Sequence, residues 1–295
     1  MKPLSYIKPI TTGLITLLCV PWLWADIRVI DDAGELLVLD RPAQRIVSLV
    51  PHATELLFEI GAGDLILATV TFADYPEAAQ ALPRVGDYNA LNTEAILALE
   101  PDLLIAFTSG ANLAQINRLQ ALGYPVFTSD PQTFADIDRT LRQFGELTGR
   151  QHSANRVADA FTADIARLVE RFGGKRPLQV FYQVWHDPLI TLNGETFISK
   201  VIEVCGGVNV FADLLAPSPQ VSLEAVIGKN PEVIVTGPSD AGEASRWHQW
   251  PQLQAVVNDA LIATDPDTLH RPVPGLIKGA TALCEAMDQV RERLN

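Results

Sequence analysis

The chain is poor in sulfur and in basic side chains. Its 295 residues hold three cysteines, two methionines and five histidines. They carry 22 Lys and Arg against 35 Asp and Glu, a net charge of −13. No stretch gathers the basic residues into a cluster. So acidic a surface repels nucleic acid and anionic membranes, and no nucleic-acid partner is expected. The charge serves solubility. No GxSxG, GxGxxG or Walker loop occurs, which excludes the enzyme classes that those motifs mark. The histidines stand at 52, 152, 186, 248 and 270 without an HxxxH pair, and there is no CxxC. A metal site therefore has no ligand spacing to rest on. We read the chain as a non-enzyme without cofactor or metal.

Long hydrophobic runs are also missing, with one exception. ITTGLITLLCVPWLW at 10–24 is uncharged and follows Lys2 and Lys8. It is short for a membrane span and of the length of a signal-peptide core. Residues 1–25 are read as a cleavable signal peptide, with a mature chain from Asp26 and an exported destination. Cys19 lies inside it, but Leu18 precedes that cysteine where a lipobox wants a small residue, so no lipid anchor is expected. Removing the two lysines takes the net charge from −13 to −15.

Two cysteines then remain, Cys205 and Cys284. In an exported chain they can form one disulfide, or stay as buried thiols. A metal or nucleophilic role lacks neighbouring partners. Cys205 ends an apolar helix pattern, TFISKVIEVC, directly before Gly206 and Gly207.

Short β-rich runs alternate with helical patterns, which predicts an α/β fold with parallel strands. RIVSLV, LILATV, PDLLIAFT and YPVFTS read as strands of a first half. PLQVFYQV and PEVIVTG read as strands of a second. ATELLFEIG, TEAILALE, LAQINRLQALG, TFISKVIEVC, SLEAVIGKN and a segment from about 275 to 294 read as helices. Two echoes link the halves. TEAILALEPDLLIAF (93–107) resembles LEAVIGKNPEVIVTG (223–237), and FEIGAG (58–63) resembles IEVCGG (202–207). The order is kept, so two similar lobes are expected. Between them, Phe134, Ile137, Leu141, Phe144 and Leu147 fit one helical face, and Val157, Phe161, Ile165, Leu168 and Phe172 fit another. The expected division is a first lobe at 26–150, a long rigid connecting helix at 151–174 and a second lobe at 175–295.

RIVSLVPHATELLFEIGAG, DYP (74–76), VIEVCGGVNVF, PQVSLEAVIGKNPEVIV and RPVPGLIKGATALCEAM together resemble the periplasmic substrate-binding proteins built on a single helical backbone. Within that family they are similar to the cobalamin-binding branch. The resemblance spans essentially all of 45–290. It implies an α/β fold of two lobes joined by one helix, a corrinoid held in the cleft between them, and delivery to the membrane permease of an ABC importer driven by its ATPase. It implies a periplasmic monomer without covalent chemistry, and a Cys205–Cys284 disulfide. Ferric-siderophore and haem binders share the scaffold and form the alternative.

The resemblance also assigns residues. Pro51 and His52 lie on the first cleft turn; His52 either meets the ligand or is satisfied by backbone. Phe72 and Tyr88 match ligand-stacking positions, against core packing as the other reading. Trp185 matches a third aromatic position. Asp267 and Arg271, four apart, either pair with each other or hydrogen-bond the amides of a corrin. Glu94 and Glu224 open equivalent helices, where the dipole favours a carboxylate, and the resemblance makes them the permease-docking pair. One departure stands out: the Pro217-Ser218-Pro219 turn lacks the tryptophan of the cobalamin binders.

Overall fold

The computed structural model describes residues 26–107, 112–237 and 242–294. The segment read as a signal peptide, with Cys19, lies outside them. A β-hairpin, β1 (Ile27–Ile30) and β2 (Leu36–Leu39), opens the described chain. The first lobe follows with β3 (Ile46–Ser48), α1 (Pro51–Glu59), β4 (Ile66–Ala68), α2 (Thr93–Ala98), β5 (Leu103–Ala106), α3 (Leu113–Ala121) and β6 (Val126–Thr128). Its four strands are parallel in the order β4-β3-β5-β6. Every residue of β3 and β5 is buried. Parallel strands covered on both faces need such unbroken apolar runs.

Two helices lead out of this lobe, α4 (Phe134–Thr148) and α5 (Gln151–Leu168). The Thr133 hydroxyl accepts from the Asp136 N–H while the Asp136 carboxylate accepts from Thr133, closing a capping box on α4. Gly149, at φ 71°, ends α4 in the left-handed region. A π-helical turn, Val169–Gly173, continues α5.

The second lobe contains β7 (Leu178–Tyr182), the small hairpin β8 (Trp185–His186) and β9 (Leu189–Ile190), α6 (Phe197–Val204), β10 (Gly207–Asn209), α7 (Leu223–Lys229) and β11 (Val233–Thr236). Two short helices, α8 (Glu243–Arg246) and α9 (Gln254–Val257), precede β12 (Leu261–Ala263), α10 (Pro266–Leu269) and α11 (Leu276–Leu294). Its parallel sheet runs β10-β7-β11-β12. Counted by position in each lobe, both sheets share the order 2-1-3-4. The likeness reaches single residues. Gly61 after α1 and Gly206 after α6 both adopt positive φ, 76° and 70°. The Asn92 side chain caps α2 at the Ala95 N–H, and the Ser222 side chain caps α7 at the Ala225 N–H.

One apolar core runs through the whole molecule. It joins Leu56 and Leu57 of α1, Phe144 and Leu147 of α4, Phe161 and Leu168 of α5, Ile202 of α6 and Met287 of α11. Two smaller clusters fill the outer layers of the lobes.

The CGG turn ties the last helix to this core. Cys205 and Cys284 form a disulfide with Cα atoms 4.6 Å apart, and both are fully buried. A Cβ on Gly207 would stand 2.7 Å from Ile202 Cγ2 and 2.7 Å from Met287 Cε, so α11 closes over that backbone only where no side chain intervenes. Arg291 completes the joint. Its Nη2 donates to the carbonyls of Cys205 (2.6 Å) and Gly206 (2.9 Å), and its Nε donates to Arg176 at 2.8 Å. A cation thus meets the carbonyls at the end of α6, where the Gly206 oxygen also accepts from the Leu178 N–H. The disulfide closes a separation of 79 residues. Replacing both cysteines by alanine is expected to lower unfolding stability by about 4–5 kcal/mol on the chain-entropy scale, read from urea melts.

Candidate functional site

Ligands in open parallel sheets sit beyond the carboxyl ends of the strands, where the strand order reverses. The first lobe has a concavity of about 290 Å³ there. Leu49, Val50, Pro51 and His52 follow β3; Val70, Thr71 and Phe72 follow β4; Phe107 follows β5. Tyr88, Leu91, Asn112 and Ile116 complete it. The wall is apolar and aromatic. Its polar groups are neutral, and among the described residues no Lys, Arg, Asp or Glu lines it.

Pro51 and His52 are the first two residues of α1 rather than a turn ahead of it. Proline suits that position because its missing N–H would have no intrahelical partner. The His52 ring is buried, with Nε2 2.9 Å from the Ser129 hydroxyl and Phe107 edge-on at 6.4 Å. Burial lowers its pKa to about 4, so the imidazole is neutral at pH 7. Its partner is therefore a side chain from β6's end, not the backbone.

The two aromatic residues of this lobe are not packed inside. Phe72 is 78 % exposed and Tyr88 68 %. Phe72 also has φ 68°, a left-handed backbone that costs a bulky residue energy. Tyr88 stands on a loop whose Asp87 side chain accepts from the Asn89 and Ala90 N–H groups, while Asn112 Nδ2 donates to the Asp87 carbonyl.

In the second lobe, Trp185 lies just beyond β7 at 51 % exposure. Its indole N–H donates to the Asp187 carbonyl at 3.0 Å, and its ring stacks on His186. Ser218 is exposed, in a turn that docks on β9's continuation through Thr191 N–H to the Pro219 carbonyl. Asp267 and Arg271 are adjacent, but not through their two charges. Arg271 Nε and Nη2 donate to the Asp267 backbone carbonyl at 3.1 and 2.9 Å. Beside them Tyr182, its pKa raised to about 12 by burial, lies 2.6 Å from His270 Nε2. Burial holds His270 below the ordinary histidine value.

Arg271 also reaches the first lobe, 3.4 Å from Glu55 and over the ring of Tyr75. Sequence reasoning missed Glu55, Tyr75, Phe107 and Asn112. Glu55 had a usable signal: it falls three residues after His52, on the same face of α1. Glu94 and Glu224 are exposed at the second position of α2 and of α7. Among the described residues no cluster of His, Cys, Asp and Glu could hold a metal, and no helix is long and apolar enough to cross a membrane.

The His52 geometry has a pH consequence. The unfolded chain takes up its proton near 6.5, the folded chain only near 4. The contribution is complete above pH 6.5 and is lost as pH falls toward 4, by about 3 kcal/mol. Denaturant melts between pH 7 and 4 are expected to lose that slope in His52→Gln.

Known proteins share this fold. The periplasmic binding protein family matches residues 46–268. The vitamin B12-binding protein of Vibrio parahaemolyticus is 32 % identical over 261 residues, covering 88 % of this chain and 95 % of that protein. The crystal structure of the periplasmic vitamin B12-binding protein BtuF of Vibrio cholerae superimposes with a TM-score of 0.78 at 34 % identity, over 85 % of this chain and 98 % of that one. The periplasmic haem-binding protein RhuT of Roseiflexus sp. RS-1 gives 0.71 at 25 % identity, over 84 % and 99 %. This chain belongs to the periplasmic binding protein family, in the branch that holds the vitamin B12-binding proteins.

Proposed function

We propose that the protein captures cobalamin or a related corrinoid between its lobes and delivers it to an ABC importer. The observation that carries this reading is the uncharged, aromatic-rimmed wall of the first lobe. A large neutral ring system fits such a wall, because burying it there leaves no charge unpaired. Phe72, Tyr88 and Trp185 supply exposed ring faces for it. Pro51 and His52 form its back, and Asp267 with Arg271 supply polar contacts for peripheral amides. The similarity to vitamin B12-binding proteins supports the same ligand class.

The protein acts as a monomeric carrier without catalysis or cofactor. Residues 1–25 direct export to the periplasm and are then removed. Glu94 and Glu224, one per lobe at equivalent helix positions, offer a matched acidic pair to a two-fold permease. A ferric siderophore or haem is the competing ligand. Haem carries anionic propionates, and no described Lys or Arg lines the first-lobe concavity, which leaves Arg271 of the second lobe as the cation that would meet them.

Titration of residues 26–295 with cyanocobalamin, cobinamide, haem and a ferric hydroxamate decides the ligand. One-to-one cobalamin binding is expected, weakened about tenfold by Tyr88→Ala, the scale of one lost ring contact. Binding of haem or the siderophore without corrinoid binding overturns the assignment. Glu94→Ala with Glu224→Ala is expected to leave that titration unchanged and to abolish stimulation of the importer's ATPase in proteoliposomes.

A further inference from the structure

One buried charge has no part in the site so far. Glu55 lies on α1 one turn after His52 and is 6 % exposed. Its Oε2 has no hydrogen-bond partner, and Arg271 Nη1 stands 3.4 Å from it. A buried carboxylate oxygen without a hydrogen bond is costly, and an apolar side chain would pack there more cheaply. Arg271 comes from the other lobe. Its guanidinium also lies 4.5 Å from the centroid of Tyr75, a first-lobe ring. Behind it, the Asp267 carbonyl accepts from Nε and Nη2. One guanidinium therefore meets both lobes at once. Of its five N–H groups, Asp267 takes two and Glu55 faces one, so two remain for a ligand.

We propose that Glu55 is a positioning residue: with Tyr75 it holds Arg271 as a strap between the lobes, setting their separation and aiming the remaining guanidinium N–H groups at the ligand. The second half rests on the corrinoid reading; the first does not. The groups around Glu55 fix the sign of its pH response. Burial raises its pKa, Arg271 lowers it, and Glu59 on the same helix raises it, with a net rise. Asp267 and His270 stand behind Arg271, and Tyr75 covers its face. The charged strap is present above that raised pKa and is released as pH falls through it. Stability runs the other way. A raised carboxyl pKa makes the folded state the better proton acceptor, so this group disfavours folding at neutral pH. Glu55→Gln should loosen the strap without lowering the melting temperature.

The test uses spin labels at Ala98→Cys and Gly228→Cys. These are exposed, equivalent positions of α2 and α7's lobes, added with the native disulfide intact. In ligand-free protein, Glu55→Gln is expected to lengthen and broaden the inter-lobe distance distribution. Acidification should do the same to the parent chain and nothing more to the variant. Tyr75→Leu, at a half-exposed ring, should give a smaller lengthening and serves as the second variant. Unchanged distances in folded Glu55→Gln overturn the strap whatever the ligand. Titration with cyanocobalamin should then show about tenfold weaker binding in Glu55→Gln, the scale of one charge-assisted contact, with the pH dependence flattened. Unchanged affinity beside altered distances overturns the positioning role. Altered distances in a chain that binds no corrinoid sink the ligand assignment and leave the strap standing.

Discussion

A parallel sheet cannot leave either face in water, and the rest of this structure follows from that constraint. Each four-stranded sheet needs helices on both sides, and neither lobe supplies enough for itself. Residues of α4, α5 and α11 join strand residues of both sheets in one apolar cluster, so the core is continuous from Leu56 to Met287. The chain then has two lobes but one interior. Hinge opening on the scale of separate domains would expose that interior.

The same constraint locates the cleft. Both sheets use the order 2-1-3-4, and each leaves its strand ends free of covering helices where the order reverses. The segment between β4 and α2 carries Phe72 and Tyr88 into solvent, and the short strand β8 carries Trp185. Among the described residues no charged side chain lines this wall, and the pair of Arg271 and Glu55 lies outside its lining. That pair works at low dielectric, where attraction and desolvation are both large, and so geometry rather than charge count decides what it does.

The CGG turn shows how local and distant causes combine. Gly206 relieves a left-handed backbone, which is a local demand, and Gly61 meets the same demand in the other lobe. Gly207 answers a distant one, because Met287 arrives from α11. Cys205 and Arg291 then fix the same joint covalently and by hydrogen bonds. The first lobe lacks this reinforcement because no terminal helix has to be retained there.

The sequence by itself determined the fold class, the repeat and the helices of the connector. Buried strands such as LLIA and VIVT are short apolar runs bounded by Pro and acid, and the faces of α4 and α5 show helical spacing. Those signals are local and physical. The β1–β2 and β8–β9 hairpins were not legible, since their strands are short and half-exposed and their pairing depends on what lies beneath. Nor was the first-helix start at Pro51, where a proline reads equally as a turn. Tyr88 and Phe72 could be named but not placed, because an aromatic residue has the same letter in a core and on a rim. Only the tertiary structure brought Arg271 from residue 271 to Glu55 and Tyr75, and Ser129 to His52. No sequence spacing encodes those contacts: His52 meets Ser129 because β3 and β6 end on the same side of one sheet, and Arg271 meets Glu55 and Tyr75 because the two lobes share one core.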